Sequence, residues 1–297
     1  MAVRMTPIGR VGLVAKHNLE AAAGLLAELA GWLEARGIAP VFETHTAALA
    51  GLPPGRPTNS GEDLPRACEL IVVLGGDGTL IGTAGRIAQA GANVPILGVN
   101  FGSLGFLTEI TLPELYDSLE SVLEGEAEIE ERMMLRARTL RGGDVVAERA
   151  VVNDAVITKG ALSRIIDLSV SVGDELVMQV RADGLIVATP TGSSAYNLAA
   201  GGPIVHPAVD AMLLTPIAPH MLTNRPVVLP ASSQLCVTPL MDGNHEVYVT
   251  LDGQSGHPLQ SGDRIEITRS THSVRLVRAT QRTYFDVLRQ KLKWGAR

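Results

Sequence analysis

Asp77 is a carboxylate set among glycines, in the segment Gly75-Gly76-Asp77-Gly78-Thr79. An apolar run, Leu70–Leu74, precedes it and suits a buried strand; an alanine-rich pattern from Thr79 to about Ala90 follows and suits a helix. Strand, glycine turn and helix start are the arrangement by which α/β proteins offer backbone N–H groups to phosphate. Glycines at 75, 76 and 78 admit close approach of a ligand and allow positive φ angles. A carboxylate repels phosphate, so Asp77 needs a chemical reason to be there. It would hold a metal on the phosphate, or take a proton from a hydroxyl that attacks it. The tetrapeptide alone reads more readily as a tight turn closed by an Asx hydrogen bond; the strand before it and the helix after it bring the phosphate reading level with that one. No Gly-Lys-Ser/Thr follows, so this is not a Walker loop, and the G-x-G-x-x-G spacing is absent.

A second dense stretch is Arg181–Pro207, RADGLIVATPTGSSAYNLAAGGPIVHP. Asp183-Gly184 marks a turn into a strand over Leu185–Ala188. Pro190-Thr191-Gly192 breaks that strand, and Ser193-Ser194-Ala195 opens a short helix with hydroxyls and free N–H groups at its start. Any single hydroxyl here suffices as a helix cap. The whole stretch exceeds what a cap needs, because Asp183, Tyr196 and Asn197 add specific polar groups. Asn153-Asp154 falls between two β-type runs, as a turn or a ligand contact. His206, His220 and Asp252 are read as structural or turn residues.

Composition narrows the partners. The 297 residues suffice for two ordinary domains, and 46% hydrophobic with 19% charged residues fits a globular protein. Aromatic residues are 3% of the chain, so stacking is no general binding strategy. The net charge of −6 argues against a broad nucleic-acid surface. Two cysteines, Cys68 and Cys236, make no disulfide framework, and the histidines lack zinc-ligand spacing. No residue is assigned as a metal ligand. Without an apolar signal core or a membrane-length run, a cytoplasmic protein is expected.

The elements that must position these residues fall into two regimes. Up to about residue 120, apolar runs at Val11–Ala15, Ala39–Phe42, Leu70–Leu74 and Val94–Val99 alternate with helical patterns at Leu19–Arg36, Thr79–Ala90 and Leu112–Gly125. The alternation implies a parallel sheet whose ligand crevice lies at the carboxyl ends of the strands. The proline- and glycine-rich Gly51–Pro65 reads as a surface loop. After Gly125, short β-type segments separated by Gly-Gly, Gly-Asp and Asp-Gly turns imply a largely antiparallel domain. The expected architecture is therefore a Rossmann-like α/β domain (1–120), a β-rich domain (125–278) and a C-terminal helical segment (279–297) that returns to the first.

These motifs together closely resemble the NAD kinases. Four segments carry the resemblance in the family's order: Gly75–Thr79, Asn100–Leu107 (NFGSLGFL), Asn153-Asp154, and Asp183–Pro207. Pro219-His220 followed by Leu222, and Asp252-Gly253-Gln254, also fit. The glycine–aspartate loop by itself is shared with diacylglycerol kinases, sphingosine kinases and phosphofructokinases. The resemblance implies transfer of the terminal phosphoryl group of ATP to the 2′-hydroxyl of the adenosine ribose of NAD, giving NADP, with Mg²⁺ bridging donor oxygens. It implies Asp77 as general base on that hydroxyl, and Gly75, Gly76, Gly78 and Thr79 as the phosphate-donor loop. Asn153 and Asp154 would hold ribose hydroxyls; the family often has Asn-Glu there, so the shorter acid alters the reach. Asp183 would contact the nicotinamide carboxamide, and Phe101 would line the adenine side. Thr191, Ser194, Ala195, Tyr196, Asn197, Leu198 and Ala199 would wrap NAD, with Arg164, Arg181 and Gln254 as weaker transfers. A homodimer or homotetramer is implied, with NAD touching both domains. Two other readings are a lipid kinase of the diacylglycerol or sphingosine type, against which the polar stretch Thr189–Asn197 argues, and a non-catalytic dinucleotide sensor, which has no use for Asp77.

Overall fold

A computed structural model describes residues 7–52, 58–160, 164–221, 223–241, 246–279 and 282–295. The Asp242-Gly243 turn, Leu222 and part of the Gly51–Pro65 loop lie outside the described residues. The chain divides into two compact units, Met1–Glu131 with Val274–Arg297, and Arg132–Ser273. Both divisions fall inside long strands, Ile129–Arg141 and Arg264–Val277, rather than in linkers.

The first unit is built on a parallel sheet. Its strands run in the order Thr58–Asn59, Ala39–Glu43, Arg10–Ala15, Leu70–Gly75 and Ile96–Asn100. Ile110–Thr111 and the end of Arg264–Val277 also pair in parallel with Ile96–Asn100. All six residues of Leu70–Gly75 are buried. That is the state a continuous apolar run requires of a central parallel strand, and each such Leu, Ile or Val side chain contributes about 1.5–3 kcal/mol by leaving water. Helix Ala23–Glu34 lays Leu26, Leu29, Ala30 and Leu33 on the sheet. Helix Leu115–Glu124 ends at Gly125, whose φ of 77° is the left-handed cap that glycine adopts without strain. The helix Thr44–Leu49, which the apolar pattern does not mark, is started by the Glu43 carboxylate accepting from Thr46 N–H at 3.0 Å.

The second unit is antiparallel throughout. One sheet has the order Val227–Pro230, Ala211–Ile217, Gly184–Ala188, Asp154–Lys159, Val247–Leu251, Ser255–Leu259. The other contains Glu175–Ala182, Ile166–Val172, Leu235–Leu240 and Arg264–Val277, with the hairpin Ile129–Arg141/Asp144–Val151. One apolar core draws on both, including Leu135, Leu168, Leu185, Val187, Val237 and Ile265. Gly184–Ala188 is buried on both faces: Leu185 and Val187 join that core, while Ile186 and Ala188 join a second cluster with Leu213, Ala200 and Val205. Two strands were not expected from sequence, Ala211–Ile217 and Ser255–Leu259. The second carries Gly256 and Pro258, which dilute the strand signal; Gly256 is needed because a Cβ would stand 2.7 Å from the Val249 carbonyl oxygen.

Candidate active site

In the first unit the chain leaves the buried strand at Gly75, extends through Gly76 (φ −125°, ψ −175°) and enters the helix Asp77–Gln89. Gly75, Gly76 and Gly78 do not adopt positive φ, so one of the two reasons for glycine here is corrected. Their role is space. A Cβ on Gly75 would stand 2.8 Å from Thr79 Oγ1 and 3.2 Å from Lys16 Cβ, whereas Cβ positions on Gly76 and Gly78 meet nothing. No side chain therefore stands over the helix start at the two glycines that flank Asp77.

Asp77, at the first position of that helix, turns its carboxylate onto the following loop. Oδ1 accepts the N–H groups of Leu107 (3.1 Å) and Thr108 (3.0 Å) and the Thr108 hydroxyl (3.0 Å). Oδ2 accepts the Phe106 N–H at 2.8 Å. The loop itself is tied at its start by Asn100, whose side chain accepts from Gly102 N–H and donates to the Ser103 carbonyl. Phe101 N–H donates to the Gly75 carbonyl at 3.2 Å, which brings Phe101 beside the glycine turn.

In the second unit, Asn153-Asp154 and the Thr189–Ser194 turn are pressed together. Thr189 N–H donates to the Asn153 carbonyl at 2.8 Å, and its hydroxyl donates to the Val152 carbonyl at 2.6 Å. A Cβ on Gly192 would sit 2.2 Å from the Asn153 carbonyl oxygen, so only glycine permits this contact. Asp252 completes the group: its carboxylate accepts the N–H groups of Val152 (2.8 Å), Asn153 (2.7 Å) and Asp154 (3.1 Å). Among the described residues the Thr191 hydroxyl, buried beside them, has no hydrogen-bond partner. A buried, unpaired hydroxyl is costly unless a ligand completes it. Ser194, Ala195 and Leu198 are half-buried, and Tyr196, Ala199 and Gln254 are exposed.

Burial, and then the charge of Asp252, push the Asp154 carboxyl up to about 7. Burial also raises Asp252, against the pull of its three N–H donors. The Asp252 carboxylate has three backbone donors opposing its burial, whereas for Asp154 burial and the neighbouring charge act in the same direction, upward.

The remaining residues separate into two groups. Asp183 pairs with Lys159 Nζ at 3.4 Å, a cation that the motif reading did not single out. Arg164 is exposed, and exposed Arg181 stands 4.0 Å from Asp167, a surface pairing that stabilises little. Asn197 is fully buried and bound internally: Nδ2 donates to the carbonyls of Ser193 (3.1 Å) and Pro203 (3.0 Å), and Oδ1 accepts the Thr215 hydroxyl at 2.6 Å. Its side chain thus locks the turn that presents its neighbours. Gly105 lies within the marked segment Asn100–Leu107, but Thr108, one residue beyond it, went unmarked, although a threonine closing the apolar stretch Leu104–Leu107 was a visible signal.

Residues 11–127 match the ATP-NAD kinase N-terminal domain, and residues 152–279 match the ATP-NAD kinase C-terminal domain. The NAD kinase of Geobacter sulfurreducens is 49% identical over 288 residues, covering 97% of this chain and 99% of that protein. The NAD kinase of Solibacter usitatus is 45% identical, covering 99% of this chain and 100% of that protein. Among solved structures, yeast NADH kinase complexed with NADH superposes with a TM-score of 0.88 at 25% identity, covering 98% of this chain and 89% of that one. An NAD kinase from Archaeoglobus fulgidus in complex with ATP gives 0.75 at 24% identity, covering 95% and 99%, which shows the shared fold. Neither the lipid-kinase nor the sensor reading gains support from these relatives. The chain belongs to the NAD kinase family.

Proposed function

We propose that this NAD kinase passes the terminal phosphoryl group of ATP to the 2′-hydroxyl of the adenosine ribose of NAD, with Asp77 as proton acceptor. The observation that carries this is the pairing of an ionisable carboxylate at Asp77 with open Cβ positions at Gly76 and Gly78, at the start of a 13-residue helix. The 2′-oxygen bonds to the terminal phosphorus, its proton goes to Asp77, and the bond to the bridging oxygen breaks, leaving ADP. Phosphoryl transfer asks for in-line positioning and charge neutralisation. Amides at the helix N-terminus serve the second need.

Asn153 and Asp154 bind ribose hydroxyls in this reading, and a carboxyl near 7 lets Asp154 act as donor as well as acceptor. Thr191 gives its unpartnered hydroxyl to the dinucleotide. Asp183 addresses the carboxamide, while Tyr196 and Phe101 flank bases. Mg²⁺ would be supplied with ATP and would neutralise charge on the transferring phosphates. Among the described residues no group of three or more His, Cys, Asp or Glu forms a metal cage, and Mg²⁺ commonly relies on substrate phosphates. Among the described residues no helix is long and apolar enough to cross a membrane. A cytoplasmic homodimer or homotetramer completes the proposal.

The test incubates the protein with NAD, ATP and Mg²⁺ and assays NADP. Asp77→Asn should lose roughly 10²–10⁴-fold in kcat, the range of general-base removal, while still binding NAD by calorimetry. Wild-type turnover in that variant would remove the proton acceptor from the mechanism.

A further inference from the structure

Asp77 is held from one side only. Three of its four hydrogen-bond donors converge on Oδ1, while Oδ2 accepts Phe106 N–H alone. A carboxylate offers about four acceptor positions, two on each oxygen. Among the described residues three donors fill Oδ1 and one donor reaches Oδ2, which leaves one position on Oδ2 open. Three of the four donors are main-chain N–H groups that any residue supplies. The fourth, the Thr108 hydroxyl, is a choice of side chain.

Three further observations show that this hydroxyl sits in a built holder. Thr108 is fully buried, and its methyl group rests where Gly98 leaves room: a Cβ at 98 would stand 3.3 Å from Thr108 Cγ2. A Cβ at Gly105 would stand 2.1 Å from Asp77 Oδ1 and 2.2 Å from Thr108 Oγ1, so glycine is needed for the two oxygens to meet. The next residue, Glu109, is clasped by two arginines from the C-terminal segment. Arg278 Nη1 binds its Oε1 at 2.7 Å, and Arg282 Nη1 donates to its carbonyl at 2.8 Å. The helix Tyr284–Leu292 adds Lys291, whose Nζ lies 5.5 Å from the Phe106 ring centroid. The loop is thereby fixed on both sides of Thr108.

We propose that Thr108 is a positioning residue for the phosphoryl transfer: its hydroxyl occupies Asp77 Oδ1 and leaves Oδ2 as the oxygen that takes the proton. The inference rests on the reading of Asp77 as proton acceptor. Losing the hydroxyl leaves the carboxylate held by three main-chain N–H groups, two on Oδ1 and one on Oδ2, so the bias that turns Oδ2 toward the reacting hydroxyl weakens. Reaction geometry is then lost while the surfaces that bind NAD and ATP are untouched, and orientation of a reacting group is worth large factors in rate.

The experiment measures kcat and KM for NAD and ATP, per folded molecule, in Thr108→Val, Thr108→Ala and Thr108→Ser, with Asp77→Asn alongside. The two hydroxyl deletions should lose at least about tenfold in kcat with KM values within about twofold, and Thr108→Ser should recover kcat to within about threefold. If both deletions keep wild-type kcat, or if Thr108→Ser is as slow as they are, the hydroxyl does not position the carboxylate and the inference fails. Loss confined to KM, or matched by the unfolded fraction, overturns it equally. Wild-type turnover in Asp77→Asn would instead defeat the underlying reading, so the two failures are told apart.

Discussion

Asp154 and Asp252 exchange two hydrogen bonds: the Asp252 N–H donates to the Asp154 carbonyl at 2.9 Å, and the Asp154 N–H donates to Asp252 Oδ1 at 3.1 Å. The exchange fixes the strand start at Asp154 against the turn at Asp252, where φ is 53°. It also brings half-buried Asp252 against buried Asp154, and their titration follows.

Asp154 titrates near 7 in the fold because of burial first and Asp252 second, against about 3.9 in an unfolded chain. A raised acid favours the folded state fully below the unfolded value, and the benefit is lost as pH rises toward 7. Stability from this group should therefore fall between about pH 4 and 7 and stay level above. Asp154→Asn removes that slope. Urea titrations should find the variant more stable than wild type at pH 8, by on the order of 2 kcal/mol, with the gap closing at pH 5. An equal gap at both pH values means the carboxyl is not changing charge.

Gly192→Ala should be more harmful than its single methyl suggests. The new Cβ meets Asn153 backbone atoms at 2.2, 2.5 and 2.6 Å, and backbone cannot swing aside as a side-chain tip does. Overpacking of this kind costs about 1–3 kcal/mol. The relief is separation of Asn153-Asp154 from the Thr191 turn, so weakened NAD binding should accompany the lower Tm. Calorimetry with NAD checks it: unchanged affinity in a destabilised variant would show that the two segments bind independently.

Much of this was legible in the residues. Leu70–Leu74 followed by glycines read as a buried strand entering a turn, and Gly142-Gly143, Gly173-Asp174 and Asp252-Gly253 marked their turns. What local pattern could not reveal were partners distant in sequence. Asp77 finds Thr108 across 31 positions, and Asp252 finds Val152 across 100. Asn197 reads as a ligand residue because buried and ligand-bound amides look alike in sequence; only the fold supplies Thr215 and Pro203 to it. The strand Ala211–Ile217 carries Pro216, which weakens its local signal, and its place is set by pairing with Gly184–Ala188.

The last prediction concerns the clasp on the loop. Glu114 closes a capping box with Thr111, accepting its N–H at 2.8 Å and its hydroxyl at 2.6 Å, and Arg282 Nη2 meets its other oxygen at 2.9 Å. Burial alone would raise this acid, but the Arg282 and Thr111 hydrogen bonds outweigh it and bring the carboxyl down to about 2. A lowered acid stabilises the fold above its unfolded value, about 4.3, and the benefit is lost as pH falls toward 2. Arg282→Gln should therefore be less stable than wild type at pH 7 by about 1–2 kcal/mol, discounted for the solvent that reaches the pair. The two proteins should draw together near pH 2.5. Because Arg282 also donates to the Glu109 carbonyl, one residue beyond Thr108, the variant should lose kcat at temperatures where it is fully folded. Full kcat under those conditions would show that the Glu114 pair stabilises the unit without bracing the loop.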